Sequence, residues 1–147
     1  MGNIKEVSIL IVEDDAGHAR LIEKNLKRAK ISNRITRVEN GQEALDFLFS
    51  EGAFEDIERP SPLLVLLDLN MPVLDGYQVL ERMKANQDTK KIPVIVLTTT
   101  DDAREVARCY ELGCSVYITK PVDYESFCEA IQKLGFLLSI VTIPNGE

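Results

Sequence analysis

The segment LLVLLDLNMP, Leu63 to Pro72, sets five apolar residues in a row before an aspartate, and a proline follows four positions later. A continuous apolar run of this length has the character of a strand buried on both faces, as in a parallel sheet covered by helices. An unpaired carboxylate is costly inside such a strand, so Asp68 marks the carboxyl end, where the chain leaves the sheet. A single aspartate there could be a cap and nothing more. Its meaning depends on which other residues arrive at the same edge.

Working outward, VSILIV (from Val7), PVIVL (from Pro93) and SVYIT (from Ser115) are short runs of the same β-branched kind, and RITRV (from Arg34) is more polar and suits an edge. Helical spacing fills the intervals: Ala19, Ile22, Leu26 and Ala29; Ala44, Leu45 and Leu48; Val79, Leu80 and Met83; Ala103, Val106, Ala107 and Tyr110; Phe127, Ala130, Ile131 and Leu134. Strict βα alternation predicts right-handed crossovers and a doubly wound parallel sheet. The expected α/β architecture is a flavodoxin-like (βα)5 fold with strand order 2-1-3-4-5, whose ligands bind outside the carboxyl ends of the strands. The connection EGAFEDIERPSP, Glu51 to Pro62, reads as a solvated acidic loop.

With 147 residues and 45% hydrophobic content, one domain spanning 1–147 is expected, carrying a short apolar extension over about 136–147. Seventeen basic residues against 24 acidic ones give a net charge of −7, which disfavours direct binding to DNA or RNA. The three cysteines, Cys109, Cys114 and Cys128, match no zinc spacing and read as reduced thiols. No signal peptide or 18-residue apolar stretch is visible, so neither secretion nor a membrane span is expected and a cytoplasmic location is.

The strand ends carry the chemistry. Glu13, Asp14 and Asp15 follow the first strand, Asp68 and Asn70 the third, Thr98, Thr99 and Thr100 the fourth, and Thr119, Lys120 and Pro121 the fifth. In a doubly wound sheet these ends converge on one crevice. Several carboxylates do not crowd together ionised without a cation, and hard oxygen donors suit Mg2+. With that metal present, one carboxylate serves as a nucleophile toward phosphorus, while a lysine and a hydroxyl stabilise the transferred oxygens.

The motifs VEDD, LLDLNMPVLDG, VLTTT and YITKP, in this order and spacing, make the chain similar to the receiver domain of two-component response regulators, over about Val7 to Leu138. The resemblance implies Asp68 as phosphoacceptor, Glu13 and Asp14 as Mg2+-binding acids with Asp68, and Asn70 as a backbone-carbonyl ligand. It also implies Thr98 and Lys120 on the phosphoryl group and Tyr117 as an aromatic switch, although Tyr117 equally suits a core position with a wet hydroxyl. Further implications are a cis bond before Pro121, a turn into the third helix at Asp75 and Gly76, and phosphoryl lifetime tuned at Asn70 and Thr100. The partners implied are a sensor histidine kinase, of phytochrome type by the loop before the third strand and the tail, and a downstream protein target. The cap of the first helix, which Glu13 or Asp14 could also supply, is assigned to Asp15 or left open, and His18, the one histidine, belongs at the surface or the rim of the site.

Two other functions share parts of this pattern. A haloacid-dehalogenase-like phosphatase needs a second aspartate two positions after the nucleophile, where this chain has Asn70, so it is not expected to be an enzyme with external turnover. A flavin module needs amide-presenting Ser, Thr or Gly after the first strand, where EDDAG places carboxylates. Little sequence follows the fifth helix, so output is expected through protein contacts. FLLSIVTI, from Phe136, is apolar at all but two positions and suggests a homodimer across the fifth-helix face, or a private lid.

Overall fold

β1 (Ser8–Val12), β2 (Ile35–Val38), β3 (Leu63–Asp68), β4 (Val94–Thr98) and β5 (Val116–Thr119) pair in parallel in the order β2-β1-β3-β4-β5, as expected. They alternate with α1 (Ala16–Arg28), α2 (Gly41–Phe49), α3 (Gly76–Ala85), α4 (Ala103–Glu111) and α5 (Tyr124–Lys133). This computed structural model describes residues 7–28, 33–71, 73–99, 101–120 and 123–133, with side chains to residue 130. The cis bond before Pro121, Thr100, and the tail with its homodimer lie outside the described residues.

Every residue of β3 is buried, because both faces of the sheet are covered and strand side chains alternate between them. Leu63, Val65 and Leu67 join Leu10, Val12, Val94 and Val96 against α2, α3 and α4. Leu64 and Leu66 join Ile9, Ile11, Ile95, Leu97, Val116 and Ile118 against Ile22 and Leu26 of α1 and Phe127 and Ala130 of α5. The sheet thus separates two apolar layers, and each buried leucine contributes roughly 2 kcal/mol.

Local chemistry sets the helix starts at the functional edge. Asp75 accepts from the Gln78 amide at 3.0 Å, and the Gln78 side chain accepts from the Asp75 amide at 3.0 Å, a reciprocal cap. Gly76 is required by close approach: a Cβ there would stand 2.6 Å from the Asp68 carbonyl oxygen and 2.7 Å from the Leu69 Cα. The first turn of α3 therefore lies directly on the end of β3. Asp15 caps α1 as expected, its Oδ1 accepting from the His18 amide at 2.8 Å, and this bond holds its carboxyl below the ordinary value.

Two expectations are corrected. The stripe Ala103, Val106, Ala107 and Tyr110 is not the core face of α4; Cys109 is that helix's buried residue, and Tyr110 is 46% exposed. The face turned inward is carried by Cys109, with Val106 of the stripe half-buried one turn before it, while the exposed Glu105 and Arg108 engage Tyr77 of α3 at its edge. The Tyr77 hydroxyl donates to Glu105 at 2.8 Å, and the Arg108 guanidinium lies 4.1 Å from the Tyr77 ring centroid. The connection after α2 is not merely solvated either. It forms a 3-10 turn at Gly52–Phe54 whose Phe54 ring packs edge-on against Phe47 at 5.3 Å. Arg59 then donates to the Leu48 carbonyl at 2.8 Å and the Asp88 carbonyl at 3.2 Å.

Candidate functional site

Parallel register brings the expected residues to one edge. Val12 stands beside Leu67, Asp68 beside Leu97 and Thr98 beside Thr119, so the residues that end or follow β1, β3, β4 and β5 share a rim. Strand parity then sorts them. Glu13, Asp68 and Lys120 continue the rows of Ile11, Leu66 and Ile118 on the α1/α5 side, whereas Thr98 and Tyr117 belong to the opposite side with Val96.

On the first side lies a buried charge cluster. The Lys120 ammonium is 2.8 Å from Glu13 Oε1 and 3.2 Å from Asp68 Oδ1, and its side chain is only 13% exposed. Glu13 and Asp68 are buried, and the Asp68 Oδ1 also accepts the Asn70 amide at 3.2 Å. Burial, reinforced by the neighbouring Glu13 charge and only partly opposed by Lys120, pushes the Asp68 carboxyl up to about 7. Burial works against the Lys120 ammonium, but Glu13 and Asp68 outweigh it and hold its pKa above the ordinary value.

Asp14, exposed at the rim, completes the set: one oxygen from each of Glu13, Asp14 and Asp68 falls within 4.8 Å of the others. Beyond its ion pair, Glu13 Oε1 has no hydrogen-bond partner among the described residues. Three hard oxygens at this separation, one of them on a carboxyl raised in pKa, are a donor set suited to a small divalent cation. An open depression lined by Asp14, Leu69, Asn70, Met71, Asp75 and Tyr77 gives access from solvent. His18 sits at the rim with its Nε2 buried and without a partner among the described residues; burial, and then the nearby Lys120 charge, lower its pKa.

Across the sheet edge, Thr98 is fully buried and shares a side-chain hydrogen bond with the half-buried Tyr117. Burial pushes the Tyr117 phenol up, and the Thr98 bond opposes that shift. Thr98 and the lysine are also joined through the backbone, the Lys120 amide donating to the Thr98 carbonyl at 2.6 Å. Two contributors were not singled out from the sequence. Tyr77 lines the mouth, and Arg37 of β2 reaches the loop that carries Glu13 and Asp14. Arg37 stood inside a weak edge-strand run, and the one available signal was a charged side chain close to that strand's carboxyl end.

Comparison with known proteins identifies the family. Residues 9–132 match the family model of the response regulator receiver domain. The response regulator Rcp1 of Synechocystis sp. is 39% identical over 137 residues, an alignment covering 92% of each chain. Among solved structures, the bacteriophytochrome response regulator RtBRR superposes with a TM-score of 0.82 at 38% identity, over 89% of this chain and 79% of that one. The Mn2+-bound form of Rcp1 gives a TM-score of 0.77 at 38% identity, over 94% and 99% of the two chains. Among the described residues no helix is long and apolar enough to cross a membrane. A buried acid paired with lysine, set in a carboxylate cluster at the rim of a 2-1-3-4-5 sheet, is a phosphoacceptor's equipment, and the family match makes it that of a signalling receiver rather than of an enzyme. The chain belongs to the response regulator receiver domain family.

Proposed function

We propose that Asp68 is the phosphoacceptor, that Glu13, Asp14, Asp68 and the Asn70 carbonyl hold Mg2+, and that the donor is a phosphohistidine on a phytochrome-type sensor kinase. The observation that carries this reading is the Lys120 bridge between Glu13 Oε1 and Asp68 Oδ1 beside the three converging carboxylates. Both Glu13 oxygens are engaged, one by Lys120 and the other by the Asp15 amide at 3.2 Å. The Lys120 and Asn70 contacts of Asp68 both fall on Oδ1, so we assign the attack to Oδ2. Bound Mg2+ supplies charge neutralisation for the oxygens in flight.

In the transfer, Asp68 Oδ2 forms the new bond to phosphorus, the P–N bond to the donor imidazole breaks, and the imidazole leaves with the electron pair and takes up a proton. Asp68 must be ionised to attack, and its carboxyl rests near 7 in the metal-free protein. The carboxylate form would be favoured by a cation held by Glu13, Asp14 and Asp68. Lys120 then follows the phosphoryl group as a buried counter-charge.

The Thr98 hydroxyl has one proton to donate. When it turns to a phosphoryl oxygen, its present bond with Tyr117 is rearranged, and Tyr117 is freed to move against α4. Thr98→Ala is therefore expected to keep phosphoryl uptake, slowed by about tenfold for one lost charge-assisted hydrogen bond. It should also lose most of the accompanying amide shift changes over residues 103–119. Equal shift changes in wild type and variant would sink the switch.

The partner reading rests on relatives described as a bacteriophytochrome response regulator and a phosphorylated cyanobacterial phytochrome response regulator. Its test is transfer from labelled, autophosphorylated histidine kinases. A phytochrome-type kinase should label the chain faster than unrelated kinases, with Mg2+ and not with EDTA. Faster labelling by an unrelated kinase would remove the phytochrome assignment and leave the acceptor chemistry standing. Output to a downstream protein rather than to DNA follows from the acidic surface, net charge −7.

A further inference from the structure

Arg37 lies in β2 opposite Ile11 of β1, one residue short of the point where both strands end. Its side chain crosses to the loop beyond β1, where Nε donates to the Glu13 carbonyl at 3.1 Å and Nη2 to the Asp14 carbonyl at 3.2 Å. The Glu13 amide donates to the Val38 carbonyl at 3.1 Å, so β2 grips this loop at three successive points. Two of the three clustered carboxylates are mounted on the peptide planes held this way.

The loop needs such a grip. Three carboxylate oxygens within 4.8 Å of one another repel, and a free loop would relax by swinging Asp14, the exposed member, outward. Lys120 offsets the repulsion at Glu13 and Asp68. Among the described residues its ion pairs are with those two and not with Asp14. A guanidinium is suited to the remaining task, since its donors are fixed in a plane and its charge persists at any working pH, whereas an ammonium is a point donor on a flexible stem.

We propose that Arg37 is a positioning residue for the cation site: by holding the Glu13 and Asp14 carbonyls on the edge strand, it sets both carboxylates toward Asp68 before any metal arrives. The inference deepens the reading of this cluster as a Mg2+ site and rests on it. Outer residues that orient metal ligands characteristically change affinity and leave the fold alone.

The test uses the full chain with Arg37→Gln and Arg37→Lys. Calorimetric titration with MgCl2 should give an affinity about tenfold weaker for Arg37→Gln, with partial recovery in Arg37→Lys. In EDTA, the Asp15 amide, which donates to Glu13 Oε2, should exchange its hydrogen faster in Arg37→Gln while core amides of β3 keep their protection. Magnesium affinity equal to wild type, or an unchanged Asp15 exchange rate, overturns the proposal. A wild-type chain that binds no Mg2+ would instead bring down the metal reading, and the exchange measurement, made without metal, still decides the role of Arg37. If Arg37→Gln does not fold, Arg37→Lys carries both measurements.

Discussion

Asp68→Asn will take up no phosphoryl group from a small-molecule donor or a phosphorylated kinase, and above pH 7 in EDTA it will be the more stable protein by roughly 2 kcal/mol. The first half follows from the assignment of Asp68 as nucleophile, since an amide oxygen does not form a stable acyl phosphate. The second follows from linkage. Burial, then the Glu13 charge, raises the Asp68 carboxyl from 3.8 to about 7, so the folded state binds a proton that the unfolded chain has released. The stability this group contributes is complete below its unfolded pKa, near 4, and is lost as pH climbs through about 7. At roughly 1.4 kcal/mol per pKa unit the interval sets an upper bound of about 4 kcal/mol, which water at the rim reduces by about half. Urea unfolding of wild type and variant at pH 5 and pH 8 checks the sign. A variant less stable than wild type at pH 8, or one that still carries an acid-labile phosphate, refutes the assignment.

Lys120→Met should do the reverse. Removing the ammonium leaves the buried Glu13 and Asp68 carboxyls facing each other with no cation between them. Breaking a buried pair by deleting one partner costs about 3 kcal/mol or more. Lys120, with the Asn70 amide, also opposes the rise of the Asp68 pKa, so its loss pushes that carboxyl further up. The penalty should be largest at pH 8 and should shrink as pH falls and Asp68 protonates. Thermal unfolding in EDTA across pH 5 to 8 reads this directly. Because three carboxylates remain available, Mg2+ should recover part of the loss. A midpoint unmoved at pH 8 would mean that the lysine is solvated and that the bridge contributes nothing.

Strand parity made much of this legible in advance. In LLVLLD and PVIVLT the apolar residues leave one place for a polar side chain, the carboxyl end, and a parallel sheet brings such ends together. Asp68, Thr98, Glu13, Asp14 and Lys120 are placed by that rule. Arg37 is not, because its role depends on a long side chain reaching from β2 to Glu13, a loop residue 24 positions away in sequence. The inward face of α4 escaped for a related reason. Periodicity counts larger apolar residues, whereas α4 is seated by Cys109 and meets α3 through a hydroxyl to carboxylate bond and a guanidinium over a ring, both made to Tyr77. The loop after α2 escaped because its acids outnumber Phe54, the residue that anchors it.

The division of the interior into two apolar layers has a consequence for how such a chain can change. Glu13, Asp68 and Lys120 stand over the layer packed by α1 and α5, while Thr98 and Tyr117 stand over the layer packed by α2, α3 and α4. Thr98 links the two sides at the rim, but side chains packed deep in one layer share few partners with those deep in the other, so substitutions within the two layers combine almost independently. The second layer is therefore free to drift, altering how strongly Tyr117 and α4 answer Thr98 and what surface they offer, with the proton and cation balance at Asp68 left as it was. A lineage built on this plan can exchange its listeners without relearning how to be charged.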